Sequence, residues 1–136
     1  MRMALQERLD RPLQRERLLK AAGVSRVELV CAPATWRVVK QHCEYPFSHH
    51  KTFPYEASHY PPDEDGFLHV ELEGADLARL VQRTYITRFT TIDAARRAVC
   101  RRVWDATGAV LDGIDLEAPD GKQLPPIVLD ARLGAI

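Results

Sequence analysis

The stretch FLHVELEGADLARLVQRTY, Phe67 to Tyr85, changes hydrophobic period halfway and decides the fold class. Leu68, Val70 and Leu72 alternate with His69, Glu71 and Glu73. A period of two is that of a strand with one face buried and the other in water, so Phe67 to Glu73 reads as a strand. Gly74 ends it. From Ala75 to Tyr85, Leu77, Leu80, Val81 and Tyr85 then fall on one side while Arg79, Gln82 and Arg83 fall on the other, which is the spacing of an amphipathic helix.

Downstream, Thr91 offers a side-chain oxygen for an N-cap, and Asp93 stands in the first turn, where the helix dipole favours an anion. Ile92, Ala95, Val99, Val103, Ala106 and Val110 recur at three and four residues, so a long helix is expected, with Ile92 on its buried face. Gly108 inside it costs about 1 kcal/mol against alanine and marks a kink or an early end; Gly113 is the stronger stop. Ala118-Pro119-Asp120-Gly121 reads as a turn, and Ile127 to Asp130 as a short last strand after Pro125-Pro126.

Upstream, Asp10 and Pro12 are the start signals of a helix from Arg11 to Ala22 with a frayed or helical lead, and Gly23 stops it. Leucines 5, 9, 13, 18 and 19 leave only a narrow apolar stripe. Val24 to Cys31 alternates as a strand does, with Val27, Leu29 and Cys31 on one face. LLKAAGVSRVELV also resembles the turn of a helix-turn-helix, which would make Arg26 and Arg37 phosphate contacts. The β-branched residues before Pro33 favour the strand. Pro33 can open a helix from Ala34 to His42 that buries Trp36, Val39 and Cys43. The order α, β, α, loop, β, α, α, β predicts a two-layer α+β domain with about three short strands, covered on one face by the long helix, as a single domain over 1–136.

Between these parts lies an irregular segment, residues 42–66. Its first part, HCEYPFSHHKTFPYEASHYPP, holds four of the five histidines, five of the ten aromatics and four of the nine prolines. Prolines argue against a helix or a central strand, and the rings argue against disorder. The rings and histidines Tyr45, Phe47, His49, His50, Phe53, Tyr55 and His59 therefore form a candidate contact surface. Aromatic and arginine side chains are the ones enriched at interfaces.

Totals exclude several classes. The 136 residues carry 19 basic and 19 acidic side chains, so no overall field attracts nucleic acid or an anionic membrane. The charge is blocked along the chain, +4 over residues 1–60, −6 over 61–78, +6 over 79–104 and −4 over 105–136, which allows a bipolar surface. Cys31, Cys43 and Cys100 read as reduced thiols, and no apolar run is long enough to cross a membrane, so a cytoplasmic protein is expected. There is no G-x-S-x-G elbow, P-loop or G-x-G-x-x-G.

Phe67 to Asp130, through VELEGADLARL, RRVWDATGAVLDGID and PPIVLD, resembles small uncharacterised proteins of actinobacteria. The resemblance covers about half the chain and implies a fold, with no activity and no catalytic residues. The residues themselves lead first to a non-enzymatic protein-binding or adaptor module without a cofactor, using the aromatic and histidine segment. Arg97 and Arg101 join the binding candidates, although Asp93, Arg97, Arg101 and Asp105 stand four apart and can form a salt-bridged ladder. One alternative is nucleic-acid binding through the arginines of 79–102 and the loop rings. A second is a metal-dependent or Cys/His hydrolase on His42, Cys43, His49, His50 and His59, with a zinc-like ion; their spacing matches no common zinc pattern. The partner expected is a protein, with nucleic acid the alternative, no membrane, and a homo-oligomer compatible with the sequence.

Overall fold

The computed structural model describes residues 2–44, 53–54, 60–117 and 123–130. Four helices and three strands follow in the order α1 (Arg2–Ala22), β1 (Val27–Cys31), α2 (Pro33–Glu44), β2 (Leu68–Leu72), α3 (Gly74–Thr90), α4 (Ala94–Leu111) and β3 (Ile127–Val128). The fold is α+β, with a mixed sheet in the order β2-β1-β3. β1 runs antiparallel to β2, with Leu29 opposite Val70, and parallel to β3, with Leu29 opposite Ile127.

That register places Val27, Leu29, Cys31, Leu68, Val70, Leu72 and Ile127 on the covered side of the sheet, all buried. Glu28, His69, Glu71 and Val128 alternate with them and are exposed, while Val30 on the same face is buried, so this face is largely but not wholly wet. Residues 27–31 form a strand, so the helix-turn-helix reading of LLKAAGVSRVELV falls. β-branched Val27 and Val30 fit a pleated, half-buried surface better than a one-and-a-half-turn helix ended by Pro33.

α3 is the middle of the helical layer, touching α1, α2, α4 and β2. Its inner face, Leu77, Leu80, Val81 and Tyr85, is buried as the periodicity predicts, and the helix continues past Tyr85 to Thr90. Gly74 opens α3 beneath the end of α1. A side chain there would stand 2.5 Å from the carbonyl oxygen of Val24 and 2.9 Å from that of Ala22. Only glycine lets the two helix ends approach this closely.

Three local expectations are corrected. α1 begins at Arg2 and runs through Pro12, because Asp10 is turned inward to a partner on α3 instead of capping. α4 is capped by Asp93, whose carboxylate accepts from the backbone N–H of Ala95 and Arg96; Thr91 is the C-cap of α3. Ile92 therefore lies between two helices and is 97% exposed. Finally, α4 passes through Gly108, without the early end expected there, and ends at Leu111. At the other end of the fold, the Asp130 carboxylate accepts from the backbone N–H of Ala32 (2.7 Å) and from Thr35 Oγ1 (2.9 Å), tying the start of α2 to the chain beyond β3.

Candidate binding surface

The unusual element is α1, which buries polar side chains beside Leu13, Leu18 and Ala21 and leaves three leucines exposed. Asp10, Gln14 and Arg17 recur at four and three residues and face the other helices. Asp10 accepts from Arg88 Nη2 of α3 at 2.6 Å. Gln14 Oε1 accepts from the indole N–H of Trp104 at 2.7 Å, while its amide donates to the Val81 carbonyl at 3.4 Å. Arg17 donates from Nε and Nη2 to the two carboxylate oxygens of Asp112, at 3.1 and 2.9 Å, in a bidentate pair. That pair holds the Asp112 carboxyl below its usual range.

Two guanidinium groups stack over the indole of Trp104, Arg17 at 4.2 Å and Arg88 at 4.1 Å from the ring centre. Such contacts are worth about 2 kcal/mol each when desolvated. Gly108 leaves the channel for Arg17, since a Cβ there would collide with the Arg17 guanidinium. Arg17 Nη1 and Arg88 Nε are buried without a hydrogen-bond partner among the described residues, their positive charge resting instead on the indole faces.

The outer face of the same helix carries Leu5, Leu9 and Leu19, which are 60%, 65% and 66% exposed. Leu116 is 49% exposed, and its side chain lies beside Gly23 at the helix end. Along one side of the helix the order is Leu5, Leu9, Pro12, Glu16, Leu19, Gly23. Single exposed leucines are ordinary, whereas a line of them opposite a buried polar face is informative. From the sequence the leucines were visible, but which side faced inward was not: the polar partners lie 78, 90 and 95 residues away.

Of the aromatic and histidine segment, Phe53 is placed, and it is fully buried. Its ring lies 5.7 Å from that of Trp36, its N–H donates to Glu44 Oε1, and Tyr60 meets Trp36 edge-on at 6.2 Å. Phe53 is therefore a core anchor and not a contact residue. Tyr45, Phe47, His49, His50, Tyr55 and His59 lie outside the described residues.

The arginines of 79–102 are engaged individually. Arg83 donates to the His42 carbonyl, Arg88 is buried on Asp10, Arg96 pairs with Asp93, and Arg102 pairs with Asp130. Arg97 reaches the Thr91 carbonyl at 3.4 Å and Arg101 pairs with Asp105 at 3.9 Å, so the four-residue ladder forms only at its lower end. Asp93 is occupied as a cap and turns to Arg96 instead of Arg97.

Two further places bear chemistry. On the wet face of the sheet, His69 bridges two carboxylates, with Nδ1 2.7 Å from Glu28 and Nε2 2.6 Å from Asp63. The hydrogen bonds to Asp63 and Glu28 raise the His69 pKa above 6.5, and the bond from His69 holds Asp63 below 3.8. With both ring nitrogens hydrogen-bonded to carboxylates, this histidine clips Glu28 to Asp63 and offers no free base. A shallow cavity of about 290 Å³ lies nearby, lined by Arg26, Glu28, Glu71 and Leu124 among others. The three thiols are buried. Burial pushes Cys31 up to about 12 and Cys100 to about 11, and moves Cys43 further in the same direction. These are not reactive thiolates. His42 sits next to Cys43 with its pKa lowered by burial, then by Arg96 and Arg83, and no group of three metal-ligating side chains comes together among the described residues. Nor is any described helix long and apolar enough to cross a membrane.

No family model, curated protein or solved structure matches the chain.

Proposed function

We propose that the protein is a non-enzymatic protein-binding module whose contact surface is the outer face of α1. The observation that carries this reading is the line of exposed leucines on a helix whose buried side holds polar groups. Its buried side spends Asp10, Gln14 and Arg17 on fixed partners, while Leu5, Leu9 and Leu19 stand in water. A helix with apolar residues on its outward face gains from a second surface that covers them. The rigid attachment of α1 to α3 and α4 keeps the stripe ordered, which lowers the entropy lost on binding. Support against a hydrolytic reading comes from the buried thiols, with raised pKa values, and from the doubly bonded His69.

The test is a photo-cross-linking residue placed at Leu9 or Leu19, compared with one at Val128, which is also exposed but lies on the sheet. Covalent protein adducts from the α1 positions and none from Val128 are expected. Equal recovery from both places, or none from α1, would remove the reading.

A further inference from the structure

We infer that the outer edge of β2 is a docking site for an extended, basic segment of a partner protein, which pairs there as a fourth strand of the sheet. This surface is separate from the outer face of α1 and does not depend on it. The direction of the backbone carries the inference. The N–H of Leu129 donates to the Val30 carbonyl at 2.9 Å, so Val30 turns its peptide groups toward β3. Val30 stands opposite His69, and Glu28, two residues before it, stands opposite Glu71. In an antiparallel ladder, opposed residues alternate between pairs that exchange both bonds and pairs that turn their N–H and C=O away from each other. His69 and Glu71 belong to the second kind and point theirs outward, past the edge of the sheet. Among the described residues nothing bonds these backbone groups. The ends of the edge are closed: Asp63 accepts the Phe67 N–H and donates its own N–H to the Phe67 carbonyl, and Asp76 accepts the Glu73 N–H. Between these ends the edge is open to one short strand.

Charge selects the occupant. Sheet edges are commonly guarded by lysine, yet residues 61–78 hold six acidic side chains and no Lys or Arg. Glu64, Glu71 and Glu73 stand in water, and Glu71 meets only Arg26, at 3.6 Å, with both side chains 65% exposed. The β2 edge of a second copy would set its Glu71 against His69, but Glu28 and Asp63 already hold that histidine, and the acids would double. A strand with Lys or Arg on alternate residues sets opposite charge against Glu71. Its intervening residues extend the side of Leu68, Val70 and Leu72 and are therefore apolar. Main-chain bonds give such an added strand its affinity, and the alternating side chains give it specificity.

Residue-resolved amide hydrogen exchange of the intact chain is expected to be fast at His69 and Glu71 and slow at Val70 and Leu72, whose N–H groups face β1. The probe is a peptide of about seven residues alternating Lys and Val. It slows exchange at His69 and Glu71 at about 1 mM or below, and added salt weakens the effect. A Glu–Val peptide of the same length, or the Lys–Val peptide N-methylated where it would donate, leaves both amides fast. Glu71→Lys, at an exposed position, keeps the unfolding midpoint and weakens Lys–Val binding about tenfold. Slow exchange at His69 and Glu71 in the chain alone overturns the inference, because the chain itself or a second copy then holds the edge. Absence of protection by the Lys–Val peptide, or equal protection by the Glu–Val or methylated peptide, overturns it as well.

Discussion

α1 and α3 lie against each other and are built in opposite ways. α3 buries Leu77, Leu80 and Val81 without exposure, and meets α1 with one buried charge, Arg88. α1 puts Asp10, Gln14 and Arg17 into the same interface, beside partly buried Leu13 and Leu18, and leaves Leu5, Leu9 and Leu19 outside. The first helix is held by non-directional burial, about 25 cal/mol per Å² of apolar surface. The second is held by directional pairs that fix its rotation about its own axis. A helix keyed in this way presents one chosen face outward, and here that face is apolar.

The largest effect is expected where the keying is broken on one side only. Arg88→Ala strands the Asp10 carboxylate and removes a guanidinium from Trp104, so unfolding by denaturant should show a loss of about 3–5 kcal/mol. Replacing both partners, Asp10→Leu with Arg88→Met, should recover most of that loss. A double variant as unstable as the single one would mean that the pair does more than satisfy itself. Gly108→Ala comes next, at about 2–3 kcal/mol, because Arg17 must leave both Asp112 and the indole. If its thermal midpoint matches that of the unmodified chain, Arg17 does not key α1. At the small end, Leu9→Ser on the outer face should change stability by no more than about 0.5 kcal/mol, whereas Leu80→Ala on α3 should cost about 2–5 kcal/mol. Similar losses at Leu9 and Leu80 would erase the contrast between the two helices.

The sheet face supplies a pH-dependent comparison with these buried pairs. His69 has a raised pKa in the folded chain, so its contribution is complete below 6.5 and is lost as pH rises through the folded value. Asp63 has a lowered one, so its contribution is present above 3.8 and is lost as pH falls through the folded value. The clip therefore stabilises best between those limits. His69→Gln should flatten the decline in unfolding midpoint on the alkaline side of pH 6.5, and an unchanged profile would show that the clip is too exposed to matter.

Much of the architecture was legible because the strands and α3 obey a single period. Leu68, Val70 and Leu72 could face only one way once period two was recognised, and Gly74 closed the run. Boundaries slipped where two residues could do one job. Thr91 and Asp93 both suit an N-cap, and Asp93 holds it because its carboxylate accepts two backbone N–H groups at once. Asp10 and Pro12 looked like a helix start because local signals cannot show that Arg88, 78 residues away, claims the carboxylate.

The aromatic and histidine segment stood out by composition, but composition does not reveal which ring is an anchor. Phe53 goes into the core because Trp36 and Glu44 offer it a ring and a carboxylate. The sequence by itself determined the α+β class, the strand alternation and the apolar face of α3, since these follow from short-range periodicity. Only the tertiary structure decided that α1 turns Asp10, Gln14 and Arg17 inward and Leu5, Leu9 and Leu19 outward. Rotation about a helix axis is set by partners brought together from distant parts of the chain, and in α1 those partners are Arg88, Trp104 and Asp112.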